Sequence, residues 1–410
     1  MNSGVPVVDI APFLDGTDKL SVAGAVADAC ERIGFLLVTG NGIDQQVIER
    51  AFERSRAFFG QPRDEKDRWR PNGPSQQRGF HALATRGLAY TLGEDAPPDL
   101  RETYFLGPID DHRAHFANLP AAANAYAPNI YPDTPQGTAD ALITIYHAYE
   151  RLSEDLLRIF AVALDQPEEY FARFITRHFS ILSSHHYPPL REVPRKGQFR
   201  TGAHTDFGAL TILAMTEGEG GLEVRMPDGA WHSVQPARGE LVVNLGDMMA
   251  RWTNGNWTST MHRVANPRDL NSARSRRQSI GYFMHPDFDC PISAVPSCVP
   301  AGEEPRFRTI SAGEHIAMKI AASHEGAAVA RDTRRALKSP GVSPGASRER
   351  SRRERRECGV ALGVPAGPAV ASHAGHGAPS RKFVKMLPPG DASAMNDVRQ
   401  TNRAPVTEGA

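Results

Sequence analysis

In the segment GAHTDFGALTIL, His204 and Asp206 are separated by one residue. Side chains on an extended strand repeat every two residues, so an imidazole and a carboxylate leave one face and converge on a point. A second imidazole, His262 in TSTMHRVANP, follows another extended run 58 residues on and can complete the set. Two imidazoles and one carboxylate make a facial triad that leaves three coordination positions open. That arrangement suits a non-haem Fe(II) that must take a cosubstrate and O2 together. A catalytic zinc accepts the same ligands and keeps a position for water. His-x-Asp alone is a common chance pattern, and the third ligand gives it weight.

The segment RRQSIGYF adds a second pair. Arg277 and Ser279 share a strand face and offer a guanidinium fork and a hydroxyl to one carboxylate. Zinc hydrolysis has no use for such a pair, whereas a dicarboxylate that chelates iron at one end must be held at the other. Arg274 and Arg276 lie close by, and an arginine in such a cluster is commonly a surface charge. The R-x-S spacing and the apolar strand after it single out Arg277.

The elements that must position these groups are legible from period and punctuation. Leu222, Val224 and Met226 alternate with Glu223 and Arg225; Pro227-Asp228-Gly229 turns, and residues 230–234 return, which predicts a hairpin. Leu210–Met215, Leu241–Leu245 and residues 279–284 are further short apolar runs between turn residues, so the second half reads as an antiparallel sandwich or barrel with the chemistry in its mouth. The first third reads as mixed α/β. Residues 5–10 are extended; Ser21 is expected to cap a helix with Val22, Ala25, Val26, Ala29 and Ile33 on its apolar face; residues 35–38 form a strand. A second helix starts at Asp44, with Val47, Ala51, Phe52 and Ser55 on one face. A longer one starts near Pro135 and carries Ile143, Tyr146, Leu152, Leu156, Phe160 and Ala163 at helical spacing.

Composition narrows the function classes. Lys plus Arg equals Asp plus Glu, 47 of each in 410 residues, so no global field argues for nucleic acid, a membrane surface or a polyanion. Four scattered cysteines make neither a disulfide framework nor a Cys-type zinc site and predict a reducing compartment. No basic residue precedes Lys19 and no 18 apolar residues run together, so a cytoplasmic protein is expected. All Trp and Tyr lie at or before Tyr282, and Phe383 is the sole aromatic after residue 325. Residues 326–410 therefore read as a low-complexity, disordered tail, with ten basic against four acidic residues in 331–360. A basic arm for nucleic acid or acidic partners and an out-of-frame extension are the other readings of that segment. The expected organisation is an α/β N-terminal region over 1–120, a long helix and β core over 121–325, and the tail.

Taken as an ordered set, the motifs resemble the isopenicillin N synthase-like branch of the Fe(II)- and 2-oxoglutarate-dependent dioxygenases. The likeness covers residues 5–323: VPVVDIAPF, GFLLVTGNGI, RGF at 78–80, DLRETYFLGP, HYPPL, GAHTDFGALTIL, LEVRMPDGAWHSV, LVVNLGDMMARWTNG, MHRV and RRQSIGYF. It implies a distorted double-stranded β-helix, a jelly roll, behind the α/β region. It further implies His204, Asp206 and His262 as Fe(II) ligands, and Arg277 and Ser279 as anchors of the distal 2-oxoglutarate carboxylate. Tyr187 of HYPPL is a further contact or a core ring at a strand start. Asn244, Gly246 and Asp247 match a structural N-x-G-D turn. Arg78, Phe80, Tyr104 and Phe288 match positions from which the family draws substrate contacts. His185 stands where many relatives have Asn and is expected to be a partly exposed polar residue.

The implied reaction consumes 2-oxoglutarate and O2, releases succinate and CO2, and oxidises a small organic substrate by hydroxylation, desaturation or ring closure. The alternative within the family is an oxidase that uses no 2-oxoglutarate and binds a substrate carboxylate at Arg277 and Ser279. Outside it stand an iron- or ligand-binding regulator and a zinc hydrolase. Nothing in the motifs specifies an oligomeric state.

Overall fold

Two sheets with unlike faces organise the chain. The structure, a computed structural model, describes residues 4–73, 76–88, 97–190, 192–270 and 272–320, all within one compact unit that ends at Val342. The expected tail, 326–410, lies outside the described residues. In chain order the first strands are β1 (Val7–Asp9), β2 (Phe35–Thr39), β3 (Gly79–His81), β4 (Glu102–Leu106) and β5 (Ile181–Tyr187). Next come β6 (Thr201–His204), β7 (Leu210–Met215), β8 (Gly221–Arg225), β9 (Trp231–Ser233) and β10 (Leu241–Leu245). The last are β11 (His262–Ala265), β12 (Arg277–Met284), β13 (Pro291–Ile292) and β14 (Ile310–Ser311). The helices are α1 (Ala11–Leu14), α2 (Lys19–Arg32), α3 (Gln45–Phe59), α4 (Arg63–Asp67), α5 (Thr138–Ala163) and α6 (Asp247–Trp252).

The larger sheet runs β1-β2-β10-β7-β12-β5-β4-β3, antiparallel except for β1 beside β2; the smaller runs β6-β11-β8-β9. This is the jelly roll that the resemblance implied, in keeping with the sandwich or barrel read from the change of period. Strands from the first 120 residues complete the larger sheet at both ends, so its α/β region and its core share one ladder.

Each face of the larger sheet has its own cover. Phe80, Tyr104, Leu182, Ile212, Ile280 and Tyr282 point into the main core, where α2, α3 and α5 lay down their apolar stripes. The α5 stripe, from Leu142 through Tyr146, Tyr149 and Leu156 to Phe160, is wholly buried, as a 3.6-residue period facing a sheet requires. A smaller apolar cluster joins the two sheets on the other face: Phe35, Leu37 and Val242 of the larger meet Leu222, Val224 and Val234 of the smaller side.

Local chemistry starts and stops the elements. The cap of α2 is Asp18, not Ser21: the Asp18 carboxylate accepts from the Ser21 backbone N–H at 3.1 Å, so the helix begins at Lys19 rather than at the expected Val22. Ala25 of the expected apolar face is exposed, and Ala23 and Cys30 are buried instead. Asp44 caps α3 as expected, accepting from Gln46 at 2.9 Å. In the β8–β9 hairpin, Gly229 takes φ +86°, a conformation costly to a side-chain-bearing residue, and Asp228 accepts from the Ala230 N–H at 2.9 Å. No helix among the described residues is long and apolar enough to cross a membrane.

Candidate metal centre

His204 ends β6 and His262 begins β11, and the antiparallel register sets them directly opposite each other. Their rings lie 4.3 Å apart, centroid to centroid. The β6–β11 register slips between His262 and Val264, the kind of irregularity that re-aims a side chain beside a site. Asp206 follows in the loop to β7. Its Oδ1 lies 3.7 Å from each Nε2, and one ligand atom from each of the three residues falls within 4.8 Å of the others. All three side chains are buried.

The remaining polar atoms of the three groups are already spoken for. His204 Nδ1 donates to the Gly202 carbonyl at 2.8 Å and His262 Nδ1 to the Thr260 carbonyl at 3.1 Å. A carbonyl can only accept, so the proton sits on Nδ1 and the Nε2 lone pair of each ring points at the common centre. Asp206 Oδ2 accepts from Thr211 Oγ1 at 2.6 Å and from Asn244 Nδ2 at 2.7 Å, which leaves Oδ1 as the free oxygen. Burial drives the His204 imidazole well below its usual pKa, and the neighbouring His262 adds to this, so it is held neutral. Burial alone raises the Asp206 carboxyl, but His262, His204 and the two hydrogen bonds outweigh it and keep it ionised. Two imidazoles and one carboxylate are a donor set for a divalent cation.

A second polar cluster lines the larger sheet on the same side. Arg277 on β12 pairs with Tyr187 on β5, and Ser279 pairs with His185. Tyr187 Oη and Ser279 Oγ are 3.4 Å apart. The Arg277 guanidinium is buried, and its Nη2 reaches the Met215 sulfur at 3.3 Å and the Thr216 carbonyl at 3.4 Å. Its Nε finds no partner, and among the described residues no carboxylate pairs with it. A Cβ on Gly221 would stand 2.3 Å from Arg277 Nη1, so the glycine backbone packs directly against the fork. Arg200, fully buried, stacks over the Tyr187 ring at 5.7 Å. Burial pulls its pKa down to about 10, and the like charge of Arg277 contributes. A buried guanidinium with a missing hydrogen-bond partner is what a carboxylate site looks like before its ligand arrives.

Two family models match the chain. One, described as non-haem dioxygenase in morphine synthesis N-terminal, matches residues 5–134, and the other, the 2OG-Fe(II) oxygenase superfamily, matches residues 178–286. The 2-oxoglutarate-Fe(II) type oxidoreductase hxnY of Emericella nidulans is 31% identical, over 76% of this chain and 88% of its own length. The chain belongs to the 2OG-Fe(II) oxygenase superfamily. The proline hydroxylase buaE of Petromyces alliaceus is also 31% identical, covering 72% and 93% of the two chains. A full-length Neurospora crassa protein, crystallised in complex with alpha-KG, superposes with a TM-score of 0.67 at 28% identity, over 78% of this chain and 96% of that one. As an oxygenase of this superfamily the protein uses Fe(II), 2-oxoglutarate and O2. Its relatives are 2-oxoglutarate enzymes, and they favour that reaction over the oxidase that dispenses with 2-oxoglutarate.

Within the oxygenase, the structure brings together His204, Asp206 and His262, and separately Arg277, Ser279 and Tyr187. It does not bring Arg78, Phe80 or Tyr104 to them. Phe80 and Tyr104 are register partners on the opposite face, packed edge-on around Phe58. Tyr104 Oη donates to the Ile130 carbonyl at 2.8 Å. The Arg78 guanidinium donates to the carbonyls of Gln77, Ala125 and Ala127, holding loops together. Phe288 packs on Phe179 at 5.5 Å at the edge of the main core. His185, expected to be partly exposed, is buried because Thr103 and Ser183 satisfy its two ring nitrogens, each at 2.9 Å. Arg274 and Arg276 are exposed while Arg277 is buried. Thr211 and Arg200 escaped sequence reading because neither belongs to a ligand motif. Asn244 was visible as part of the N-x-G-D turn, but not as a support for Asp206.

Proposed function

We propose that His204, Asp206 and His262 of this chain hold Fe(II), that Arg277, Ser279 and Tyr187 hold the distal carboxylate of 2-oxoglutarate, and that a small organic substrate is oxidised between the two sheets. One observation carries the ligand assignment: three buried donor atoms meet while every other polar atom of those side chains is bound to the protein's own backbone or side chains. A structural cluster would have no reason to leave those three atoms facing one another.

When bound, Fe(II) with 2-oxoglutarate and O2 supplies the oxidative decarboxylation to succinate and CO2 and the oxidation of a substrate C–H bond. The chain's own residues orient and shield. Gly202 and Thr260 fix the imidazole tautomers, and Thr211 and Asn244 fix the carboxylate rotamer. Arg277 supplies a forked charge to one end of the cosubstrate, with Ser279 and Tyr187 beside it. Val224, Phe35, Leu213 and Met215 form the apolar wall that keeps water out between the sheets. Residues 1–120 contribute the flanking strands of this chamber and residues 121–325 the ligands. Cys30, Cys290 and Cys298 are free and buried, which supports a reducing, cytoplasmic setting.

Anaerobic metal titration followed by a succinate assay tests the reading. The wild type is expected to take up a single Fe(II) and to convert 2-oxoglutarate to succinate with O2. His204→Ala and His262→Ala are each expected to abolish both. Near-normal iron uptake in either variant refutes the ligand assignment, and O2 consumption without succinate restores the oxidase alternative.

A further inference from the structure

One buried side chain, Arg200, ties the strand that carries His204 to the strand end that carries Tyr187. Arg200 immediately precedes β6, which ends in His204, and it is fully buried. Its Nη1 donates to the Tyr187 carbonyl at 3.4 Å and its Nη2 to the Pro188 carbonyl at 3.1 Å. The same guanidinium lies over the Tyr187 ring, 5.7 Å from its centroid. Among the described residues, its hydrogen bonds and its ring contact thus all fall on Tyr187 and Pro188. Tyr187 and Arg277 are the last register pair between β5 and β12, and Pro188 brings no N–H to continue the ladder. The fork therefore grips the chain where the sheet stops holding it. Other ties fasten the same stretch elsewhere: the Leu100 N–H donates to the Phe199 carbonyl at 3.0 Å and the Gly202 N–H to Asp99 Oδ1 at 2.9 Å, both at the approach to β4. Arg200 is the tie that reaches Tyr187.

The Tyr187 hydroxyl stands 3.4 Å from Ser279 Oγ, beside Arg277. How β6 sits against the end of β5 therefore sets how far His204 is from that hydroxyl. A dicarboxylate held by a metal at one end and by an anchor at the other has a fixed length, and the two holds must be spaced to match it. A side chain that merely filled space here would be apolar, since burying a guanidinium is costly. A planar charged fork can instead lock two backbone groups and a ring into one arrangement. Resting on the function proposed above, we infer that Arg200 is a positioning residue for the cosubstrate: by clamping Tyr187 to the strand of His204, it sets the span from metal to Tyr187 and so the length of 2-oxo acid that the site accepts.

The test uses the full chain loaded with Mn(II) under anaerobic conditions. Calorimetry reads the binding of 2-oxoglutarate and of 2-oxoadipate, which is one methylene longer. The wild type is expected to prefer 2-oxoglutarate. Arg200→Met, which keeps the length and loses the fork, is expected to weaken 2-oxoglutarate by about 10-fold and to shrink the preference over 2-oxoadipate by a similar factor, with Mn(II) affinity little changed. Arg200→Lys should restore part of both, because an ammonium can still lie over the ring and reach one carbonyl. In a Tyr187→Leu background, Arg200→Met should cost only about 2-fold or less, since the group it positions is gone. A wild type indifferent to acid length, an unchanged preference in a folded Arg200→Met, or a loss undiminished in the Tyr187→Leu background would each overturn the inference and leave the cosubstrate site standing. A wild type that binds no 2-oxoglutarate, or whose affinity ignores Arg277→Gln, would instead overturn the cosubstrate reading, and this inference with it. Circular dichroism checks the fold: if Arg200→Met is unfolded, Arg200→Lys carries the comparison, and if both are unfolded, Arg200 serves the fold and the inference falls.

Discussion

Two neighbouring rows of the larger sheet, one residue out of step, do different work. Phe80, Tyr104, Ser184, Ile280 and Ala214 run across four ladders on the face toward α3 and α5. His81, Thr103, His185, Ser279 and Met215 run across the same four ladders on the face toward the smaller sheet. The first row is packed into the main core. The second row is as buried as the first over most of its length but is built of imidazoles and hydroxyls. Buried charges differ in the same way. On the core side Lys66 Nζ meets Glu102 at 2.8 Å and Glu102 meets His186 at 3.0 Å, a closed set. On the inner side Arg277 is left with a thioether and a carbonyl. The charges on the core side are matched within the protein and hold the fold, whereas the Arg277 charge, with no carboxylate beside it among the described residues, is open to something that binds.

The largest effects should separate the two faces. Phe80→Ala removes a fully buried ring from the Phe58, Phe59 and Tyr104 cluster and should cost about 3–5 kcal/mol of stability, read by denaturant unfolding. The molecules that remain folded should bind 2-oxoglutarate as before. A lost 2-oxoglutarate affinity with stability intact would erase the distinction between the faces. Arg277→Gln, one residue row away in character, should leave the melting temperature nearly untouched or raised, because it removes an uncompensated buried charge. Its 2-oxoglutarate affinity should fall by about 2–4 kcal/mol, roughly 30- to 1,000-fold, measured by calorimetry. Equal affinity in wild type and variant would remove Arg277 from the cosubstrate site.

The contrast also explains what could be read from sequence. The proposed ligands were legible because the His204-x-Asp206 spacing and the short motif around His262 stand out in the sequence, but the strand ends at His204 and the loop after it, not strand parity, turns Asp206 toward the two imidazoles. The hairpin, β7 and β10 were legible because turn residues bound them. What failed was parity within β4 and β5. Every residue of Glu102–Leu106 and of Ile181–Tyr187 is buried, so neither strand alternates between apolar and polar in a way that marks its inner face. Phe80 and Tyr104, large and aromatic, fall on the core side, while the less conspicuous His81, Thr103 and His185 face the site. Arg200 and Thr211 were out of reach for another reason: their roles arise from contacts between segments that only the fold brings together. Ser21 was read as a cap because it precedes the apolar run, but Asp18 is the residue whose carboxylate reaches an open N–H.

Smaller changes on the inner face sharpen the comparison by asking whether support residues act on the metal or on the fold. Asn244→Ala removes one of two hydrogen bonds to Asp206 Oδ2 and leaves Thr211 in place. Iron affinity should fall by about 10- to 100-fold, as expected when a partner behind a ligand is lost. The residues proposed to anchor 2-oxoglutarate are untouched, so the loss should be recoverable by raising Fe(II), which a fold defect would not allow.

Ser279→Ala should disturb the fold least. Its hydroxyl is 3.4 Å from Tyr187 Oη, a long contact within the protein, so its removal takes little from the native state. If that hydroxyl serves the cosubstrate carboxylate beside Arg277, its loss removes one hydrogen bond to a charged group, about 1.5–3 kcal/mol and so roughly 10- to 150-fold in 2-oxoglutarate affinity. If it serves the fold, the affinity stays and the melting temperature drops. Each reading moves one readout and leaves the other, so one variant decides whether the inner row is polar for a ligand's sake or for the sheet's.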